Sequence, residues 1–316
     1  MSASSSAVTG SRSAGPPWPD APSPGASPSG GPPDFAALEA EVAATRRRRP
    51  SGWHLFLAPV AAIMAFPFVW MIITSVSTLA ETRRFPPQLP HAIQWHNFVD
   101  AWTMAPFDRW LLNTTIVATA AVLGNLVFCS LAGYALARFR FIGSGAAFLL
   151  ILATLMVPFQ VVMIPTLLIV RGLGLIDTLG ALILPNLVTP FGIFLLRQFF
   201  KTLPVEIEDA ARIDGASRLG TLVKVVLPQM KAPLATVAIM TLLWAWNDFL
   251  WPLIVIQSPN QMTLPLGLAT FQGAHFTNWP VLMAGTLMSQ LPMLVVFIIA
   301  QRWFVQSLSV SSGIKG

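Results

Sequence analysis

The sequence predicts an all-α, polytopic membrane protein with about six transmembrane helices and one cytoplasmic helix–turn–helix loop. Three observations carry that prediction. The chain is 54% hydrophobic and only 10% charged, whereas a soluble domain carries about 25% charged residues. Its apolar residues gather into runs that approach or exceed the ~20 residues a bilayer requires. Its lysines and arginines are divided unevenly between the loops those runs separate.

In chain order, residues 1–50 come first and are rich in Ser, Gly, Pro and Ala. Such a stretch cannot bury enough apolar surface to offset its ordering entropy, so a disordered cytoplasmic tail is expected there. Residues 34–45 (DFAALEAEVAAT) can form one short helix capped by Asp34. Arg46 to Arg49 follow directly. They read as a topogenic positive-inside signal rather than a lipid head-group site. The tail is no signal peptide, because the apolar run begins far from Met1 and is too long. Residues 51–316 form the membrane domain, with predicted spans at 55–76, 111–136, 146–170, 178–196, 234–256 and 281–304. Span four is interrupted by Pro185, Asn186, Thr189 and Pro190, which a buried or cavity-lining helix tolerates. Trp53, Trp110, Trp279 and Trp303 fall at span ends and suit an aromatic belt. The two larger outer loops, 77–110 and 257–279, are too small to be domains.

Orientation follows from charge. With both termini inside, all 19 Lys and Arg residues except Arg83, Arg84, Arg109 and Arg171 lie on the cytoplasmic side. The net charge of +6 therefore follows topology and is no nucleic-acid signal. The lone cysteine, Cys129, sits in an apolar run and excludes internal disulfides and Cys-based metal sites.

Residues 203–233 (LPVEIEDAARIDGASRLGTLVKVVLPQMKAP) stand out. Of the 13 acids in the chain, Glu206, Glu208, Asp209 and Asp214 cluster here, between two apolar runs. A bare connection would be shorter. Pro204 suits a first helical turn, and the acids sit at the positive end of its dipole. Glu208 and Arg212 are spaced for an i,i+4 pair. Gly215 fits a left-handed C-cap, and Ser217 can cap a second helix that ends at Pro228. Ile207, Ala210 and Ala211 are expected on one helical face, small enough for close approach.

Asp209-Ala210-Ala211, Asp214-Gly215-Ala216 and Leu227-Pro228 resemble the cytoplasmic coupling (EAA) loop of bacterial ABC importer permeases. The family usually has Glu where Asp209 stands. Here Glu208 precedes it, so the charge is kept and one methylene is lost. WNDFLWPL in span five, the ending FIIAQRWFVQSLSVSSGIKG, RWLLN up to Asn113 and GYALARFRF at 133–141 are similar to maltose-type sugar permeases. The likeness runs over about residues 53–316. It implies a multi-pass subunit of the cell membrane, surrounded by lipid, in a binding-protein-dependent sugar importer. Glu208, Asp209, Ala210, Ala211, Asp214, Gly215 and Ala216 would couple it to the ATPase. The implied partners are a second homologous permease subunit, two ATP-binding cassette subunits that hold ATP and Mg, and an extracellular solute-binding protein.

Within the predicted spans Asp248 is the only acid. A carboxylate there is a functional hypothesis by default, placed ~25 Å above Lys231 at ~1.5 Å per residue. Asn247, Trp244 and Trp251 are its neighbours in sequence, and Asn186 and Gln290 are further polar candidates for a substrate path. Bracing of helix packing or of a subunit interface is the competing reading, and both stay open. No catalytic or metal constellation competes. His54, His91, His96 and His275 are scattered, and no GxxxxGK[ST] phosphate cradle occurs. The chain is thus expected to bind no cofactor itself and to be no enzyme. A permease for a non-sugar solute is the alternative. Readings of another class are an intramembrane transferase, which would need acids or histidines clustered at one face, and an ion-coupled carrier, which would need more buried ionisable groups than Asp248.

Overall fold

A computed structural model describes residues 52–84, 88–273 and 277–311, with side chains placed from 56 to 299. The expected tail, its 34–45 helix, Arg46 to Arg49, and the side chains of Trp53 and Trp303 lie outside the described residues. Two units divide the chain at Ala62 and Ile63. Of the first, only the opening turns of helix α1 (Gly52–Ser75) are described. The second holds the remaining elements.

Every regular element among the described residues is helical. Five helices are long and apolar enough to cross a membrane, and a sixth span arises if one bent pair counts as one. The architecture is all-α and polytopic, as the apolar runs predict.

Along α1, Phe56, Ile63, Met64, Phe66 and Phe68 are more than half exposed. A helix this apolar that the other described residues leave largely uncovered needs an apolar surrounding such as lipid or another subunit. After it, α2 (Leu79–Arg83) opens with a capping box in which Thr78 and Glu81 satisfy each other's backbone N–H groups. Next, α3 is His96–Thr103 and α4 is Phe107–Gly124. A π-turn at Asn125–Cys129 joins α4 to α5 (Ser130–Arg138). Together they make one helical run of 32 residues, Phe107–Arg138.

Span three departs from expectation. Its two halves, α6 (Ser144–Leu155) and α7 (Phe159–Gly172), are bent by 105°. Pro158 explains the break: it disfavours the helical region for Val157 and takes extended backbone itself, with ψ 140°. By contrast, the prolines of span four start helical turns. Pro185 opens a 3₁₀ turn (Leu184–Asn186) after α8 (Leu179–Ile183), and Pro190 opens α9 (Pro190–Thr202), where Thr189 caps the Gly192 N–H at 3.2 Å. Leu179–Thr202 is apolar and long enough to span.

The loop after α9 holds α10 (Glu206–Ile213) and α11 (Arg218–Thr221). Contrary to expectation, Pro204 precedes α10 rather than entering its first turn. The second helix also does not end at Pro228. It passes through a π-turn (Leu222–Val226) and a 3₁₀ turn (Leu227–Met230) into α12 (Lys231–Asn247), so Arg218–Asn247 is one run of 30 residues. Pro228 is tolerated because it sits at the start of the 3₁₀ turn, where its missing N–H has no duty.

Span five stops early. Helix α12 ends at Asn247, Asp248 turns extended (ψ 119°), and α13 is a separate Leu250–Val255. After it come α14 (Leu264–Ala269) and α15 (Trp279–Ser311). Core side chains form three main clusters. Cys129, Tyr134, Ile193, Leu196, Phe200, Leu222, Val226 and Met230 pack along α5 and α9 and against the turns that lead into α12. Phe107, Trp110, Trp246, Leu264 and Leu282 pack at the opposite end of the α4–α5 run. Val170, Leu182, Trp251, Val255 and Leu266 form the third cluster.

Candidate functional site

Helix α10 ends in a Schellman motif. The Ala216 N–H reaches the Ala211 carbonyl at 2.9 Å, and the Gly215 N–H reaches Arg212 O at 3.0 Å. Gly215 takes φ +83°, a conformation that a β-carbon penalises. Two residues on, the Ser217 hydroxyl accepts the Gly220 N–H at 3.1 Å and starts α11. The expected helix–turn–helix is therefore present.

The acids divide by direction. Glu208 is 2% exposed. One carboxylate oxygen accepts the Tyr134 hydroxyl at 2.7 Å and the other accepts Arg138 Nε at 2.5 Å. A second Arg138 nitrogen donates to the Leu203 carbonyl at 2.8 Å. Asp209, one residue on, is exposed and pairs with Arg212 at 3.2 Å. Arg212 thus pairs with Asp209 and not with Glu208, because burial draws Glu208 inward. Ala211 is buried beside it, Ile207 is half-buried and Ala210 is exposed. Exposed on α10 are Glu206, Asp209, Ala210, Arg212 and Ile213, the last 88% exposed, and Val205 just before it is exposed as well. Asp214 and Gly215 are also exposed, and Ala216 is half-buried.

Tyr134 and Arg138 belong to the GYALARFRF stretch, which the sequence marks only by likeness. They lie four residues apart on one helical face, and an arginine closing an apolar run invites a search for its acid. RWLLN gains a structural role in the same way. Trp110 Nε1 donates to Pro259 O at 2.9 Å, and Asn113 Nδ2 donates to Asn260 O and Met262 O at 2.8 and 2.9 Å. The Thr114 hydroxyl accepts the Leu264 N–H at 2.8 Å. Trp110 is 2% exposed and so belongs to the core rather than to an aromatic belt. Gly267 lets its ring lie close, since a β-carbon there would stand 2.2 Å from it. Trp279 is 44% exposed at the start of α15.

The residues proposed for a substrate path are scattered. Asp248 Oδ1 accepts the Trp251 N–H at 3.4 Å, an Asx-type start to α13. Trp251 is 2% exposed, and its indole N–H donates to Ala181 O at 2.9 Å. Trp244 is 80% exposed, and Asn247 and Gln290 also face outward. Asn186 donates to Leu182 O and accepts from Asn125. Asn125, fully buried at the π-turn, also accepts the Thr189 hydroxyl at 2.6 Å. Beside α8, Asp177 takes φ 62° and accepts the backbone N–H groups of Gln257 and Ser258. These bonds and the Ser258 hydroxyl, the largest influence, hold its carboxyl below the usual range. Among the described residues no group of three or more His, Cys, Asp or Glu could hold a metal.

Apolar helices, a bent span and a capped loop of this kind define a polytopic membrane protein. Residues 126–310 match the family described as binding-protein-dependent transport system inner membrane component, and the chain belongs to that family. The arabinooligosaccharides transport system permease protein of Halalkalibacterium halodurans is 39% identical, covering 81% of this chain and 93% of the relative. The sn-glycerol-3-phosphate transport system permease protein of Pectobacterium atrosepticum is 34% identical, over 81% of this chain and 94% of that one. The lactose transport system permease protein of Rhizobium radiobacter is 32% identical, over 83% and 96%. A crystal structure of a bacterial ABC transporter involved in import of the acidic polysaccharide alginate shares the fold, with TM-score 0.71 and 24% identity over 86% of this chain and 98% of that one.

Proposed function

We propose that this chain is the permease subunit of an ATP-driven importer that moves a sugar delivered by an extracellular binding protein. The carrying observation is the split between Glu208 and Asp209. Glu208 fastens α10 to its own chain, and the opposite face, Val205, Asp209, Ala210 and Ile213, is exposed among the described residues. Gly215 and Ala216 turn the chain sharply away at its end. That face is the coupling surface for separate ATP-binding cassette subunits, which bind ATP and Mg and hydrolyse the nucleotide. Two such subunits and a second homologous permease complete the assembly, with both termini of this chain cytoplasmic. ATP-driven closure of the cassettes pushes on the coupling helices and swings the spans between inward- and outward-facing states. The sugar class rests on the arabinooligosaccharide and lactose relatives. The glycerol-3-phosphate relative favours a phosphorylated polyol as the second reading.

Co-purification tests the coupling surface. The wild-type chain should bring its cassette subunits with it, and Asp209→Ala combined with Ile213→Glu should release them while the chain still inserts. Retention of the cassettes by that variant would remove the assignment. Binding assays on the cognate extracellular protein, with neutral sugars against phosphorylated polyols, decide the solute.

A further inference from the structure

The 32-residue run Phe107–Arg138 is fastened at both ends by buried, directional hydrogen bonds. At one end Tyr134 and Arg138 hold Glu208 of α10, with side chains of Arg138 and Glu208 only 9% and 2% exposed. Arg138 also holds the Leu203 carbonyl, so the entry to α10 is fixed with it. At the other end Trp110, Asn113 and Thr114 hold the backbone of residues 259–264 at four points. Between them lie about 40 Å of helix, at ~1.5 Å per residue. Midway, Asn125 ties the π-turn to Asn186 and Thr189.

We propose that Phe107–Arg138 is a shaft that carries the position of the coupling helix to the outer loop 257–264, with Arg138 as the positioning residue at its inner end. This rests on the coupling reading above. A helix is stiff along its axis, and packed interfaces move between discrete arrangements rather than deforming smoothly. A helix in loose apolar contact could slide past a moving neighbour. The two polar groups bonded to the buried Glu208 cannot, because parting them strands a charge away from water. A shift of α10 therefore moves the shaft, and the four bonds at the far end move the loop. By reciprocity, whatever binds the loop biases the cassettes.

The test uses the full complex, with both permeases and both cassettes, in lipid nanodiscs. Asn260→Cys is introduced, since its side chain is exposed while the native Cys129 is buried. Its alkylation by a water-soluble maleimide is followed by mass on this chain's own peptide, with and without Mg-ATP and vanadate. Nucleotide should change the rate about fivefold or more, the low end of ordinary coupling energies. Arg138→Gln should bring that ratio close to one at equal cassette content, Arg138→Lys should restore part of it, and Asn113→Ala should abolish it from the other end. Should Arg138→Gln assemble poorly, the double variant with Glu208→Gln removes both charges together and should give the same loss. An unchanged ratio in these variants, or no nucleotide effect in the wild-type complex, overturns the shaft. Failure of the wild-type chain to retain cassettes overturns the coupling reading on which it stands.

Discussion

Glu208 and Asp209 are adjacent acids with opposite surroundings, and their variants should differ accordingly. Glu208→Ala leaves Arg138 charged and unpaired in a buried site, a loss of about 3–5 kcal/mol. Asp209→Ala removes an exposed i,i+3 pair worth under about 1 kcal/mol. Thermal unfolding of the purified chain should therefore separate them, with Glu208→Ala clearly less stable and Asp209→Ala close to wild type. Gly215→Leu places a side chain at φ +83° but into open space within this chain. Its intrinsic cost is about 1–2 kcal/mol. Loss of transport beyond what that strain explains would locate the obstruction in a docked subunit. Normal assembly and transport by the variant would contradict the coupling assignment. Outside the spans, backbone N–H groups of Thr78 and His91 and the His91 ring hold the Glu81 carboxyl down at about 2. A depressed pKa stabilises above the unfolded value near 4.5 and is lost as pH falls from there toward 2. Hydrogen exchange in residues 79–92 should rise across that window. Glu81→Gln should show faster exchange at neutral pH and little further change on acidification.

Several helix boundaries among the described residues fall at single residues that deny the backbone a partner or offer it another. Pro158 bends span three sharply, Pro190 restarts a helix after a short extended step at Thr189, and Pro185 and Pro228 begin 3₁₀ turns within continuing runs. All four look alike in sequence. What separates them is whether the carbonyl or N–H that the proline denies is needed by the helix around it. Asp248 lies at such a boundary, between α12 and α13, and accepts the N–H of Trp251 in the first turn of α13. Asp248→Asn keeps an acceptor oxygen and should preserve the break. If this element lines the solute path, the variant should keep complex yield and ATPase activity while altering preference among sugars. If it braces a subunit interface, yield or thermal stability should fall and preference should stay. Unchanged yield together with unchanged transport would exclude both roles.

At the scale of the whole molecule, the division of basic residues sets the expected topology. A reporter fused after Thr45 or at Gly316 should be cytoplasmic, and one inserted near Pro259 external. The bent pair α6–α7 is the element on which this depends, because it adds the sixth crossing only if its halves act as one span. An external C-terminus would mean an odd number of crossings and would identify that pair, bent by 105°, as re-entrant.

Some of this was legible from residue order alone. Apolar run length fixes that the chain lives in a bilayer, because burial of a backbone there demands helices. The loop at 203–233, its glycine C-cap and its serine N-cap are local chemistry, decided by neighbours within a few residues, and the structure agrees at Gly215 and Ser217. The placement of Glu208 was not legible, since the i,i+4 rule offers it Arg212 and the rule knows nothing of Arg138, 70 residues earlier. Nor was the role of RWLLN, whose Asn113 reaches Asn260 and Met262 across nearly half the chain. Sequence patterns report preferences along a helix. Which polar group wins a buried partner depends on what the packed helices bring within about 3 Å, and only the tertiary structure decides that.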